Sequence, residues 1–256
     1  MLNCSLPADW DHVHLPCTDS TMLRLRHDDL WLRPAPYVLL TTDYQTAGHG
    51  QKGTHWEAEA GANLLFSFRM HPEALHAGQQ FALSEAMALA VAETLDAYTA
   101  DICVKWPNDV YWRDRKVCGM LLTHDLCGQH IAATLTGVGV NLNQTLFRSD
   151  APNPVSLRQI TGRECNRSAV MHDIVAHFTA LYALLCEGRG AELHHRYTQR
   201  LYRRTGWHVY ADAAGHTFTA RLVEVSPTGL LTLETELGTR RTFAFKEVRH
   251  VLPAAQ

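Results

Sequence analysis

The chain has 256 residues, is 46% hydrophobic and carries a formal charge of −3, which suits one large domain or one large and one small, with enough apolar material for a core. The net negative charge argues against broad nucleic-acid binding, and seven scattered cysteines without a C-x-x-C pair suit reduced thiols rather than a disulfide framework. The most apolar stretch, residues 81–98, is interrupted by Glu85, Glu93 and Asp96, so no run is expected to span a membrane, and the first residues lack the basic-then-apolar order of a signal peptide, so a cytoplasmic protein is expected.

In chain order, Leu23, Leu25 and Leu30-Trp31 suggest a short helix entered through Asp19-Ser20-Thr21. Hydroxyl and carboxylate groups at such an entrance either cap the free amides or hold a small polar ligand there. Residues 37–42 read as a strand running into a loop, in which Gly48, Gly50 and Gly53 allow close approach of backbone amides to an anion, with His49 and Lys52 adding charge. The spacing fits neither a Walker A loop nor a dinucleotide fingerprint. Residues 64–68 form a short apolar strand, and residues 79–98 carry apolar side chains at helical spacing with small alanines between them, a helix expected to pack across a sheet.

Ile102-Cys103-Val104 then ends in Lys105-Trp106-Pro107-Asn108-Asp109. A stiff Trp-Pro corner after a strand either leaves the lysine solvated or holds its ammonium where it can fix an anion. Strands are expected over 110–112, 116–122 and 130–135, with turns at 113–115 and 125–129, which is the pattern of an antiparallel meander; Gly137 and Gly139 again permit close approach. Residues 145–165 are polar apart from a short helix at 156–160, helices are expected over 168–187 and 191–204, and short alternating strands begin at Trp207 (207–211, 216–225, 229–236 and 242–245). They predict a small β-barrel appended to an α/β domain. The pairs His12, His14 and His194, His195 lack cysteine or carboxylate partners at zinc-site spacing and are expected to be structural or surface groups.

Three distant pieces occur in a fixed order: Gln45-x-Ala47-Gly48-x-Gly50-x-x-Gly53 with Trp56; the Lys105 corner; and Lys116-x-x-Gly119 with Gly137-x-Gly139-x-Asn141. This ordered set resembles the biotin protein ligases. The resemblance implies an α+β fold, a mixed, largely antiparallel sheet packed with helices in a catalytic domain over 1–205, and an SH3-like β-barrel over 206–256. It implies activation of biotin with ATP and Mg2+ to biotinyl-5′-AMP, then transfer to a lysine of a biotin carboxyl carrier domain, with no DNA or membrane partner and either a monomeric or homodimeric state. By position, Ser20, Thr21, Met22 and Gln45 would meet the ureido end of biotin; Gly48, His49, Gly50 and Gln51 would surround its tail, with Gly119 also at the biotin. Lys105 would meet the carboxylate and α-phosphate as the catalytic cation. The adenylate would be contacted by His49, Gln51, Lys52, Trp56, Asn108, Lys116 and Asn141, Trp56 packing against the loop. Asp109 would hold either Lys105 or the corner.

Two departures stand out. Where the family's loop often reads G-R-G-R-R-G-R, this chain has His49, Gln51, Lys52 and Thr54 at the arginine positions, so bidentate guanidinium contacts are lost and weaker retention of the adenylate is allowed. Met22 stands where the family commonly has asparagine. Few residues precede Leu15, so the winged helix of the family's repressor members is not expected. A lipoate or octanoate ligase or transferase of the same superfamily, and a non-catalytic biotin or nucleotide sensor, are the alternatives.

Overall fold

Seven extended segments pair into the larger of two sheets. The computed structural model describes residues 6–50, 54–149, 151 and 153–252. The large sheet comprises β1 (Trp10–Thr18), β2 (Tyr37–Gln45), β3 (Leu64–Met70), β4 (Ile102–Lys105), β5 (Asp109–Trp112), β6 (Arg115–Cys127) and β7 (His130–Val140), in the order β1-β2-β3-β7-β6-β5-β4. Only β1 and β2 run parallel in it. A parallel pair needs a crossover, and α1 (Thr21–Leu25) with α2 (Asp28–Trp31) supplies it. Leu25 and Leu30 bury against Val38, Leu40 and Leu135, which fixes the entrance of α1 above the sheet.

The opposite face is covered by α3 (Gln80–Asp96), α5 (Arg167–Cys186) and α6 (Gly190–Gln199), with the short α4 (Leu157–Thr161) just before α5. In β3 every residue is buried: Leu64, Phe66, Phe68 and Met70 join the helix-side core, while the alternate positions, Ser67 among them, face the other way. Because α3 is buried nearly all round, its small alanines let α5 and α6 pack closely against it. At α4, Ser156 and Gln159 form a reciprocal capping box and Gly162 closes the C-terminus in the left-handed region.

The largest strand missing from the sequence reading is β1. It carries Asp11, His12, His14 and Pro16, residues depleted in strands, but it lies at the sheet edge, where proline is tolerated. His12 Nε2 and His14 Nδ1 both meet the Thr41 hydroxyl, at 2.8 and 3.0 Å. The turn expected over 125–129 narrows to Gly128 and Gln129, because β6 continues through Asp125 to Cys127. Helix α5 corrects the membrane argument: its 20 residues are long and apolar enough to cross a bilayer, yet Val170, Ile174, Phe178 and Leu181 are buried in the core.

The second sheet contains β8 (His208–Asp212), β9 (Thr217–Val225), β10 (Leu231–Thr235), β11 (Arg240–Phe243) and β12 (Val248–His250), in the order β11-β10-β9-β8-β12. Its pairings are antiparallel, consistent with the expected small SH3-like unit, and among the described residues the ladder does not close into a barrel, β11 and β12 being its edges. Buried Tyr210, Leu231, Leu233 and Phe243 join the main apolar cluster, so the two sheets share a core.

Candidate active site

The register of the large sheet draws a line across five strands. Leu65 pairs with Gly139, Gly139 with Gly119, Gly119 with Asp109, and Asp109 with Lys105. Directly opposed residues point to one face, so two adjacent glycines form a bare trough leading to the lysine, roughly 14 Å from Gly139 at ordinary strand spacing. In the neighbouring row Ser67 pairs with Gly137 and Gly137 with Leu121. This face floors a cavity of about 810 Å³.

At one end the cavity is polar and uncharged. Thr21 donates its amide (2.7 Å) and its hydroxyl (3.1 Å) to Gln45 Oε1, and the Thr21 and Ser67 hydroxyls lie 2.7 Å apart. Ser20 and Thr21 are buried, and with Met22 and Gln45 they line the cavity. Ser20 is the N-cap of α1 by backbone position, but its side chain caps nothing; Asp19 accepts the Ser20 amide instead, at 2.6 Å. That contact holds the Asp19 carboxyl below its ordinary range. The Met22 thioether lies over Gly137, where a Cβ would stand 2.6 Å from its sulfur.

The far end is cationic. Lys105 is half-buried, with Nζ 5.0 Å from the centroid of the Tyr111 ring. Burial lowers its pKa from the usual lysine value; Asp109 opposes this, while Lys116 and Arg203 push the same way. The Asp109 carboxylate does not bridge to the Lys105 ammonium: it makes an ion pair with Lys116 Nζ at 2.7 Å. Lys105 is therefore poised without an ion-pair partner among the described residues, while Lys116 is held on β6, two strands away. Asn108 lines the cavity, but its side-chain amide donates to the Met120 carbonyl, so it locks the corner to β6.

The glycine loop folds back on itself. Gly50 N donates to Thr54 O (3.1 Å) and Trp56 N to Gly48 O (3.0 Å). His49 and Gly50 line the cavity; Gly48 is buried and does not. Gln51, Lys52 and Gly53 lie outside the described residues. The Trp56 indole lies on the trough, where a Cβ on Gly119 would stand 2.9 Å from Cζ3 and one on Gly139 would overlap the ring. Among the described residues Trp56 Nε1 is buried without a partner, and Lys116 Nζ lies 5.8 Å from the ring centroid. Asn141 is buried on the same floor, its Oδ1 likewise lacking a donor among the described residues. An unpaired buried acceptor is costly, so this one suits a ligand N–H.

Ser67, Tyr111 and, in and just before β12, Phe245, Lys246, Val248, Arg249 and His250 also line the cavity, and sequence reasoning missed them. Ser67 carried a usable signal, a lone hydroxyl inside an apolar strand. Tyr111 reads as one more strand aromatic, and the second sheet's share depends on docking that no local pattern encodes.

Residues 14–141, half of the chain, match the model of the biotin/lipoate A/B protein ligase family. The bifunctional ligase/repressor BirA of Bacillus spizizenii is 25% identical over 223 residues, 81% of this chain and 64% of that protein; the chain thus spans somewhat less than two thirds of that relative. The biotin--[acetyl-CoA-carboxylase] ligase of Paracoccus denitrificans is 35% identical over 127 residues, 46% of this chain and 51% of that protein. In fold, the chain is similar to the biotin protein ligase of Aquifex aeolicus solved in complex with biotin and ATP, with a TM-score of 0.78 at 24% identity over 94% of this chain and 99% of that one. Fold likeness and the match over the whole glycine trough and lysine corner agree: the chain belongs to the biotin/lipoate A/B protein ligase family.

Proposed function

We propose that this protein is an ATP-dependent ligase that activates biotin as biotinyl-5′-AMP and passes the biotinyl group to a lysine of a biotin carboxyl carrier domain. The observation that carries this reading is the row Gly139, Gly119, Asp109, Lys105, with neutral hydrogen-bonding groups at one end of the cavity and a cation at the other. A cyclic urea offers both donors and acceptors, and the cluster of Thr21, Gln45 and Ser67 offers both in return. A slender acyl chain fits a floor that lacks Cβ atoms. Its carboxylate then arrives at Lys105.

In the first step a carboxylate oxygen attacks the α-phosphorus of ATP, and pyrophosphate leaves. Two anions must meet, and a preorganised ammonium in a partly desolvated site stabilises the charge that develops. Lys105 supplies that ammonium and is not a nucleophile. Lys116 lies two strands away, on β6, for the phosphates, and Asn141 Oδ1 is an acceptor for the adenine amine. In the second step the carrier's lysine amine attacks the acyl carbonyl and AMP leaves; until then, the loop and Trp56 shield the mixed anhydride from water. Magnesium enters as part of Mg-ATP. We assign the catalytic steps to residues 1–205 and regard 206–256 as an appended unit that completes the cavity wall, in a cytoplasmic protein.

The test is incubation with biotin, Mg-ATP and an apo carrier domain, followed by intact-mass measurement of the carrier. A gain of one biotinyl group is expected. Transfer of lipoate or octanoate in its place would move the reading to the other branch of the family, and biotin binding without transfer would make the protein a sensor.

A further inference from the structure

The corner that carries Lys105 is gripped from outside the region that matches the family model. Strand β4 has four residues, and its free edge is taken by the chain leaving α6: Val104 N donates to Arg200 O, and Tyr202 N donates to Val104 O, both at 2.8 Å. One turn earlier, Tyr197 reaches the corner itself. Its side chain is fully buried, and its hydroxyl donates to the Pro107 carbonyl at 3.1 Å. The ring stands edge-on to Phe81 at 5.6 Å, so its position is set by α3. On the other side Trp106 Nε1 donates to Gly229 O at 3.0 Å. Residues 197–202 and 229 all lie beyond residue 141, where the family match ends.

We propose that Tyr197 is a positioning residue for Lys105: its hydroxyl fixes the Pro107 carbonyl, and through it the direction in which the lysine leaves β4. This rests on the adenylation role proposed for Lys105. The hydroxyl is buried and Tyr197 is not among the residues that line the cavity, so it touches no substrate. A stabilising hydrogen bond alone would be felt in the folding equilibrium. A positioning bond is felt in the reaction, because small misplacements of a charged group lower the rate more than they lower binding.

Tyr197→Phe keeps the ring against Phe81 and removes only the hydroxyl. In the full-length protein, kcat for biotin-dependent pyrophosphate release is expected to fall about tenfold, with KM for biotin within about twofold of wild type. A second readout needs no ligand: the pH profile of Lys105 acylation by a water-soluble succinimidyl ester, followed by peptide mass spectrometry. In Tyr197→Phe the apparent pKa of Lys105 is expected to move up toward 10.5 as the ammonium gains solvent. An unchanged kcat or an unchanged Lys105 profile overturns the proposal. If wild type releases no pyrophosphate, the ligase reading fails, and the Lys105 profile alone decides the positioning role. Should Tyr197→Phe not fold, the same two readouts on Trp106→Phe, which removes the N–H held by Gly229, decide whether outside contacts orient the corner.

Discussion

Lys105 illustrates how a single side chain is prepared for its task. Its ammonium is partly desolvated and sits over Tyr111, while the nearest carboxylate, that of Asp109, is engaged by Lys116. A cation kept from its neighbouring anion is costly to the fold and useful to an incoming one. Lys105→Met retains the stem over Tyr111 and removes the charge. Adenylate formation is expected to fall by a factor of about 100 or more, while the melting temperature stays level or rises; pyrophosphate release and a thermal melt check the two halves. Gly119 can be tested from the other direction. Its alanine Cβ would stand 2.9 Å from Trp56 Cζ3 and 3.1 Å from Lys116 Nζ, so Gly119→Ala should displace the indole and the ammonium together. A stability cost of about 1–3 kcal/mol and a raised KM for biotin are expected, measurable by denaturant titration and steady-state kinetics.

Elements differ in how openly the sequence declares them. The strand ending in Lys105 and the helix α3 were legible because each repeats one physical pattern, a β-branched run closed by turn formers or apolar positions at helical spacing with alanines between. Strand β1 was not, because its edge position tolerates Pro16 and its histidines find a partner only in Thr41 of a distant strand. The same holds within the site. Glycines and a lysine announce the trough, whereas the place of the Trp56 ring, the pairing of Asp109 with Lys116 and the grip of Tyr197 depend on which elements meet. Glu85 shows this most clearly. On α3 it reads as a polar interruption, yet it is buried, and His194 of α6 meets it at 2.6 Å. Helix packing gives the carboxyl its one strong partner, and burial outweighs that partner, raising its pKa to about 7.

Across the whole molecule two buried groups pull stability in opposite directions as pH changes. The folded protein holds the Glu85 proton up to about pH 7, whereas the unfolded chain releases it near 4.5. Between those values the folded state binds more protons, so stability falls as pH rises. His250 of β12 does the reverse. Its ring packs against Tyr202 and Tyr210, and burial, with the charges of Lys105 and Arg203, lowers its pKa from 6.5 to about 3. Between those values the unfolded chain binds the extra proton, so stability rises with pH. The two windows overlap from 4.5 to 6.5, and there the slopes oppose each other. One group lies between α3 and α6 and the other in the second sheet, so their effects should be separable by mutation. Glu85→Gln removes the falling contribution, and its melting temperature is expected to rise across the overlap relative to the wild-type profile. His250→Phe keeps an aromatic ring between the tyrosines and removes the rising contribution, so its melting temperature should fall across the same interval. The double variant should return to a wild-type-like slope, because sites in separate parts of the fold with no shared partner contribute additively. Melting curves at half-unit steps of pH measure all three slopes, and the comparison depends on slope alone, whatever absolute stability each substitution costs. If both single variants track the wild-type profile in parallel, neither group changes its proton occupancy on folding in the way the buried packing requires.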